Sequence, residues 1–240
     1  MFNTIDYIRG IIESMTFTQS ISNINLGTPG QTTFDTCKTY WVFKDYNIVV
    51  DGNTYKVLDF EINKSITIKG TLIGTEPNYI VAAPHFFHGT PMQATVSLGS
   101  EKNWRDKLPF VYVIEPMREV RDLSPGRVLD RTSDLQMLFM LPGKLSESVE
   151  DQYESAVKPT DNMVFEWEKK IMIDPNIEEL SLAHSKNRVN YGVWLRKLDR
   201  PKKEKQDNQM RLINEAISGI EYSISIPFKR IVCDLNAKCK

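Results

Sequence analysis

His85 and His88 have the spacing in this sequence that best suits metal chemistry. They form a His-x-x-His pattern, and His184 is the only other imidazole of the chain. Two or three imidazoles can hold zinc or iron, which would make the chain a metal-dependent hydrolase. The pair has no nearby cysteine, and Glu76 and Glu101 are well separated from it in sequence. Hydrogen-bonded loop histidines explain the pattern better, and the hydrolase using His85 and His88 stays as an alternative.

Other patterns that carry catalysis are weak in this chain. The sequence has no Gly-x-Ser-x-Gly turn, and Cys37 has no histidine near it, so a nucleophilic site is not indicated. Glu178 and Glu179 lie in a polar stretch that is typical of a solvated face. Neither glycine-rich phosphate-binding pattern occurs. We therefore predict a protein that is not an enzyme, with no catalytic residue, no metal site and no cofactor.

Aromatic residues beside β-type segments suggest a second alternative. Tyr40, Trp41 and Phe43 begin a stretch of short strands that ends at Ala83, and exposed aromatic side chains on strands can stack single-stranded bases. No Lys/Arg series alternates with them, and aromatic residues beside strands more often belong to a core or an interface. A nucleic-acid-binding module on residues 40–83 is therefore kept only as an alternative.

The composition is that of an ordinary globular protein. The chain has 240 residues, 41% hydrophobic and 25% charged, which excludes collagen-like, coiled-coil and fully disordered proteins. Its 30 basic and 31 acidic residues nearly cancel, so neither free DNA nor an anionic membrane is favoured as a partner. Three cysteines without a Cys-x-x-Cys pair predict free thiols in a reducing compartment. We expect one α+β domain over residues 1–240, with a β-rich subdomain at 40–105 as an option within it.

The N-terminal part predicts a helix, a loop and then a meander of strands. Ile5, Ile8 and Ile12 recur on one face of a helix that Thr4 can cap. Residues 20–36 are rich in Ser, Asn, Gly and Thr and predict a loop.

Alternation after that loop indicates short strands. Tyr46 to Val50 and Thr54 to Ile62 flank an Asp-Gly-Asn turn and predict a hairpin, which a meander continues to Ala83. Residues 85–105 are expected to be irregular.

The C-terminal half predicts core strands and one kinked helix. Residues 108–114 and 135–141 are apolar runs that predict buried strands, joined by a charged connection over 118–134. Residues 146–171 predict a helix that Pro159 interrupts. Alternation over 189–195 and 220–228 predicts two late strands. We expect an α+β fold with a mixed or largely antiparallel sheet, an N-terminal helix, a kinked central helix and an added β-meander.

One group of short phrases comprises the segments 107–116 and 84–90, the helix that carries Tyr153, Val157, Pro159 and Met163, and the closing segment 218–220. In these phrases the chain resembles tailed-bacteriophage head-to-tail proteins of the tail-completion or tail-terminator type. The resemblance implies an N-terminal helix on a mixed sheet and subunits that form a ring between head and tail. It implies neither a reaction nor a cofactor. Many terminator proteins of this type are shorter, so the meander over residues 46–83 would be an addition.

A ring subunit of this kind implies partners and a place. We expect a homo-oligomeric ring in the virion, synthesised in the host cytoplasm, in contact with a portal or adaptor or with the tail tube. DNA would meet it only as it passes through the channel, and no membrane is expected. Aromatic and arginine anchors dominate many interfaces, so we expect Trp104, Arg118, Arg121 and Arg127 in that role. Three polar or irregular segments, 20–36, 118–134 and 200–208, are candidates for docking arms, with ordinary exposed loops as the alternative.

Overall fold

The computed structural model of the chain describes two sheets and the helices that pack on one of them. It describes residues 3–72, 77–90, 93, 107–121, 131–143, 149–177, 184–190 and 217–228. The helices are α1 (Thr4–Glu13), α2 (Val149–Gln152) and α3 (Lys158–Met172), and a π-helical turn (Tyr153–Val157) joins α2 to α3. The strands are β1 (Phe17–Ser20), β2 (Ser22–Asn25), β3 (Gln31–Asp35), β4 (Asn47–Val50), β5 (Asn53–Glu61), β6 (Ser65–Lys69), β7 (Asn78–Val81), β8 (His85–Gly89), β9 (Phe110–Ile114), β10 (Arg118–Arg121), β11 (Arg131–Pro142), β12 (His184–Asn190) and β13 (Ile217–Phe228).

The first sheet is antiparallel and closes nearly into a barrel. Its order is β1-β7-β4-β5-β6-β3-β2, so β1 and β2 stand at opposite ends. Only Ile21 separates these two strands in the chain, and its N–H donates to the Pro77 carbonyl over 3.1 Å. The two ends of the sheet therefore meet at one point. β1 and β2 act as consecutive halves of one strand, pairing first with β7 and then with β3.

Aromatic side chains fill the interior of this near-barrel. The rings of Phe34 on β3 and Tyr79 on β7 lie 5.8 Å apart across it, although their strands are not neighbours in the sheet. The Tyr79 hydroxyl donates to the Lys38 carbonyl, and the Trp41 indole N–H donates to the Ala82 carbonyl over 3.0 Å. These bonds satisfy buried polar groups that would otherwise cost free energy. The connection between β3 and β4 is thus fixed to β7.

The structure corrects the prediction of a loop over residues 20–36. β2 and β3 occupy most of this segment, with the turn between them at Gly27 to Gly30. Thr32 and Phe34 face the interior, while Thr33 pairs with Thr67 of β6 through their hydroxyls at 2.9 Å. Threonine favours strands, and its polar side chain hid the alternation that a sequence pattern needs. The predicted hairpin of residues 46–62 is confirmed as β4 and β5.

The second sheet is mixed, with the order β12-β13-β11-β9-β8 and β10 paired to β11. β11 and β13 pair over their full length of twelve residues. On its other side, β11 pairs first with β10 and then with β9. β8 joins the edge of β9 in parallel, so the expectation of irregular structure over residues 85–105 is wrong for 85–89. The predicted strands at 108–114, 135–141 and 220–228 are confirmed in position.

Helix α1 begins one residue earlier than the sequence suggested. The side chain of Asn3, not that of Thr4, caps it by accepting the Ile5 N–H over 3.0 Å. The Thr4 hydroxyl instead donates to Glu119 of β10 over 2.8 Å. Tyr7 packs edge-on against Phe228 at 5.3 Å between ring centroids. The first helix is therefore attached to the far end of the second sheet.

Helix α3 packs its apolar face on the same sheet. Trp167 is fully buried, with its ring 5.8 Å from Phe139 on β11 and 5.4 Å from Tyr222 on β13. A π-helical turn stands just before Pro159, which lies in the first turn of α3, where its missing N–H costs little. The result is a sheet-rich α+β fold.

Candidate assembly interface

β8 holds both histidines of the His-x-x-His pattern but does not bring them together. Successive side chains of a strand alternate between faces, so His85 and His88 lie on opposite sides of the sheet. Ring contacts agree with this: Phe87 lies beside His85 and Phe86 beside His88. His88 Nδ1 is 2.9 Å from a carboxylate oxygen of Glu115. This arrangement does not suit a single ion shared by the two imidazoles.

The described ranges contain no grouping of three or more His, Cys, Asp or Glu side chains that could hold a metal. Cys37, whose side chain is described, is a free thiol with the Gln19 amide nitrogen 3.2 Å from its sulfur.

The aromatic cluster at the start of the expected meander is part of the core. Trp41 is fully buried, and Tyr40 and Phe43 are each 7% exposed. Phe17 stacks on Tyr40 at 4.6 Å and meets Trp41 edge-on. These rings hold the near-barrel together and are not available as a platform for bases. Burial is the ordinary outcome for large aromatic residues next to strands.

The four predicted interface anchors fall in different places. Arg118 begins β10, is exposed, and approaches Asp134 of β11 at 4.0 Å. Arg121 is the last residue of the same strand. Trp104 and Arg127 lie outside the described residues. Arg118 and Arg121 thus lie on one strand, β10, at the end of the second sheet where Thr4 of α1 bonds Glu119.

The expected docking arms have equally distinct outcomes. Residues 20–36 form β2 and β3 within the near-barrel. Residues 118–121 and 131–134 pair with each other as β10 and the start of β11, and 122–130 lie outside the described residues. Residues 200–208 lie outside them as well. The prediction of loops is therefore wrong for 20–36 and for the paired parts of 118–134, and their role in docking stays a prediction.

An ion cluster joins the near-barrel to helix α3. The Glu166 side chain is only 10% exposed, with the Lys38 ammonium at 3.4 Å and the Lys169 ammonium at 3.1 Å. The Asn162 amide donates to the Tyr40 carbonyl over 3.1 Å beside them. Two cations offset the desolvation of one carboxylate, which makes this burial tolerable. The contact fixes the near-barrel against the helix that covers the second sheet.

A second cluster fixes β12 to the opposite flank of the same helix. The Tyr222 hydroxyl, buried on β13, donates to the Glu168 carboxylate over 3.0 Å. The Lys186 ammonium on β12 lies 3.3 Å from Glu168 and 3.7 Å from Asp161. Burial, together with the negative charge of Glu168, raises the pKa of Tyr222 far above its usual range. These bonds hold β12 and α3 in a fixed relation.

The outward face of α3 ends in exposed apolar side chains. Phe165 and Met172, seven residues apart and hence on one stripe, are 52% and 67% exposed, and Ile173 just after the helix is 81% exposed. The Lys169 ammonium lies 4.5 Å from the centre of the Phe165 ring. These three side chains leave the outer face of α3 and the residue after it partly apolar.

None of the helices that the structure describes has the length and apolar character to cross a bilayer. Comparison of the chain with protein-family models, with curated proteins and with solved structures finds no match. The described part of the chain consists of two sheets, the helices that pack on one of them, and the ion clusters that join these parts.

Proposed function

We propose that this chain is a non-enzymatic subunit of a tailed-bacteriophage virion that forms a ring at the joint between head and tail. It acts there as a neck, tail-completion or tail-terminator protein. Its partners are further copies of itself and either a portal or adaptor or the tail tube. DNA meets the ring only in passage.

One observation carries the proposal: the segments that resemble this class come together in one unit of the fold. Residues 84–90 contain β8, 107–116 contain β9, 153–163 contain the π-helical turn and the first residues of α3, and 218–220 lie in β13. All of them belong to the second sheet or to the helix packed on it. Short phrases scattered along the sequence would converge in this way if they belonged to one inherited module.

The path of the chain supports the view that the near-barrel is an addition to that module. Helix α1 contacts β8, which belongs to the second sheet, and α3, which packs on that sheet. The chain then leaves to form β1 to β7 and returns at β8, only three residues after β7 ends. An insertion is tolerated where its two ends lie close together, as they do here. We therefore propose that the addition spans residues 17–81, which is wider than the 46–83 expected from the sequence.

The clusters around α3 also suit a subunit whose work is contact. They fix the near-barrel and β12 to the helix, which makes the subunit rigid before it meets a partner. Preorganised surfaces lose less entropy on binding. No specific observation favours the hydrolase or the nucleic-acid-binding module over this proposal.

Mixing the purified protein with tail tubes and with head particles tests the proposal by negative-stain imaging. We expect a ring of density at one end of the tube or at the head vertex, and a rise in joined particles. The matched control is Gly10→Ala, a substitution in α1 where an added methyl meets nothing within 4 Å. Protein that binds neither particle would contradict the proposal.

A further inference from the structure

We propose that β8 of one copy pairs antiparallel with β12 of the next copy, so that a single sheet runs around the ring. This inference rests on the proposed ring assembly and specifies its interface. β8 and β12 are the two terminal strands of the second sheet as described, and they are unlike each other. A head-to-tail ring needs two different surfaces that fit together, and two strand edges at which the described ranges place no further strand meet that need.

The backbone of β8 presents hydrogen-bonding groups on the side away from β9. The His85 N–H donates to the Pro109 carbonyl over 2.9 Å, and the Gly89 carbonyl accepts the Glu115 N–H over 2.8 Å. Successive residues of a strand direct these groups to opposite sides. The N–H and C=O groups of Phe86 and His88 therefore point to the outer edge, where no strand within the described ranges pairs with them.

The residues of β8 do not include the side chains that commonly blunt an edge strand. Natural edge strands are commonly blunted by lysine, proline or a bulge, whereas β8 reads His-Phe-Phe-His-Gly and pairs with β9 in unbroken register. The two rings are held on opposite faces of the strand. The Arg9 guanidinium lies 5.5 Å from the Phe86 ring, and the Lys107 ammonium lies 5.4 Å from the Phe87 ring. The unbroken pairing with β9 keeps β8 extended along its length, which suits an added strand.

Strand direction selects β12 of a second copy as the occupant. β9, β11, β13 and β12 alternate in direction, and β8 is parallel to β9. β8 and β12 therefore run in opposite directions within one copy. Rotation about an axis along the strands preserves these directions, so β8 meets the neighbour's β12 antiparallel, which is the more stable pairing. It also keeps α1 and α3 on the same side of the sheet in every copy.

Two substitutions at His88 test this pairing. His88→Pro removes an outward N–H and places a ring on the edge, while the bonds from β8 to β9 remain. Like the proline variant, His88→Ala loses the imidazole and its contact with Glu115, but it keeps the backbone N–H. We expect His88→Ala to assemble like the unaltered protein in sedimentation velocity, and His88→Pro to assemble at least about tenfold more weakly. Equal assembly by both variants would overturn the pairing.

Hydrogen exchange of the unaltered protein provides a test that does not depend on folding of the proline variant. We expect the amides of residues 85–89 and 184–190 to exchange more slowly in the assembled protein than in the dilute one. A ring in which the amides of either strand exchange as fast as in the dilute protein overturns the pairing. A two-fold dimer whose amides are protected at β8 alone overturns it as well. A protein that stays monomeric also overturns it. Rings with both strands protected that bind no tail tube would contradict only the proposed function.

Discussion

The Lys38 ammonium and the Glu166 carboxylate lie 3.4 Å apart, although Lys38 belongs to the near-barrel and Glu166 to the helix on the other sheet. The carboxylate is nearly buried, and Lys169 provides its second cation. The lysine side chains are about half exposed, at 45% and 44%. Because the carboxylate is nearly buried and the ammonium groups are not, loss of these ion pairs destabilises the carboxylate more than it destabilises the lysines.

Replacing both lysines should therefore cost more than the sum of the single replacements. We expect Lys38→Met and Lys169→Met each to lower the free energy of unfolding by about 1 kcal/mol, since one cation remains. The double variant should lose about 3 kcal/mol, because a buried carboxylate is then left without a partner. Urea unfolding of the four proteins in a double-mutant cycle measures the difference. Strict additivity would show that Glu166 does not depend on these two contacts.

Gly219 is the position in the second sheet where a side chain has least room. A methyl group there would lie 1.9 Å from the Phe139 carbonyl oxygen and 2.9 Å from the Met140 sulfur. Met140 is directly opposite Gly219 in the pairing of β11 with β13. We expect Gly219→Ala to cost about 3 kcal/mol or more, because the two longest strands must separate locally.

Gly10→Ala is the matched control for that substitution. Gly10 lies on the exposed side of α1, and alanine is the better helix former by about 1 kcal/mol. We expect this variant to be stabilised by roughly that amount in the same unfolding experiment. Similar changes in stability for both variants would contradict the register that we describe for β11 and β13.

Buried tyrosines predict that the protein loses stability in alkali. Burial raises the pKa of Tyr46 to about 12, and it raises that of Tyr79 and Tyr222 further. Above a pH of about 10, unfolded tyrosines release their protons while the folded ones keep them, so the folded state is favoured less as pH rises. For Tyr46 the loss approaches about 1.4 kcal/mol for each pH unit between about 10 and 12.

Denaturant unfolding across this pH range, with tyrosinate absorbance as a second probe, measures the effect. Tyr46→Phe should be less stable at neutral pH but show a shallower decline above a pH of about 10. Stability that stays level in alkali, or that rises, would contradict the burial of these hydroxyl groups.

The sequence patterns located strands in which apolar residues recur, and they missed strands that consist mainly of polar residues. The runs around Val111 and Phe139 and the period of two over 220–228 identified β9, β11 and β13. β2 and β3 were assigned to a loop because Ser, Asn, Thr and Gln fill them. Local sequence patterns could not predict the closure of the near-barrel either, because it depends on the pairing of β1 with β7, about sixty residues apart in the chain.

The contact surfaces were harder to predict than the strands. Glu166 sits among the polar residues of an amphipathic helix, and only the fold shows that Lys38 approaches it. His85 and His88 suggested a metal pair because spacing along the chain does not reveal on which side of a strand each residue lies. The parallel addition of β8 to β9 had no signal, because five residues without alternation resemble a loop. Long-range pairing decides each of these features.

Native mass spectrometry of the assembled protein tests the central claim most directly. A ring closed by head-to-tail contact predicts one dominant species whose mass is a fixed multiple of 27.7 kDa, with no larger members. A monomer, a two-fold dimer or an open-ended series of masses would contradict it.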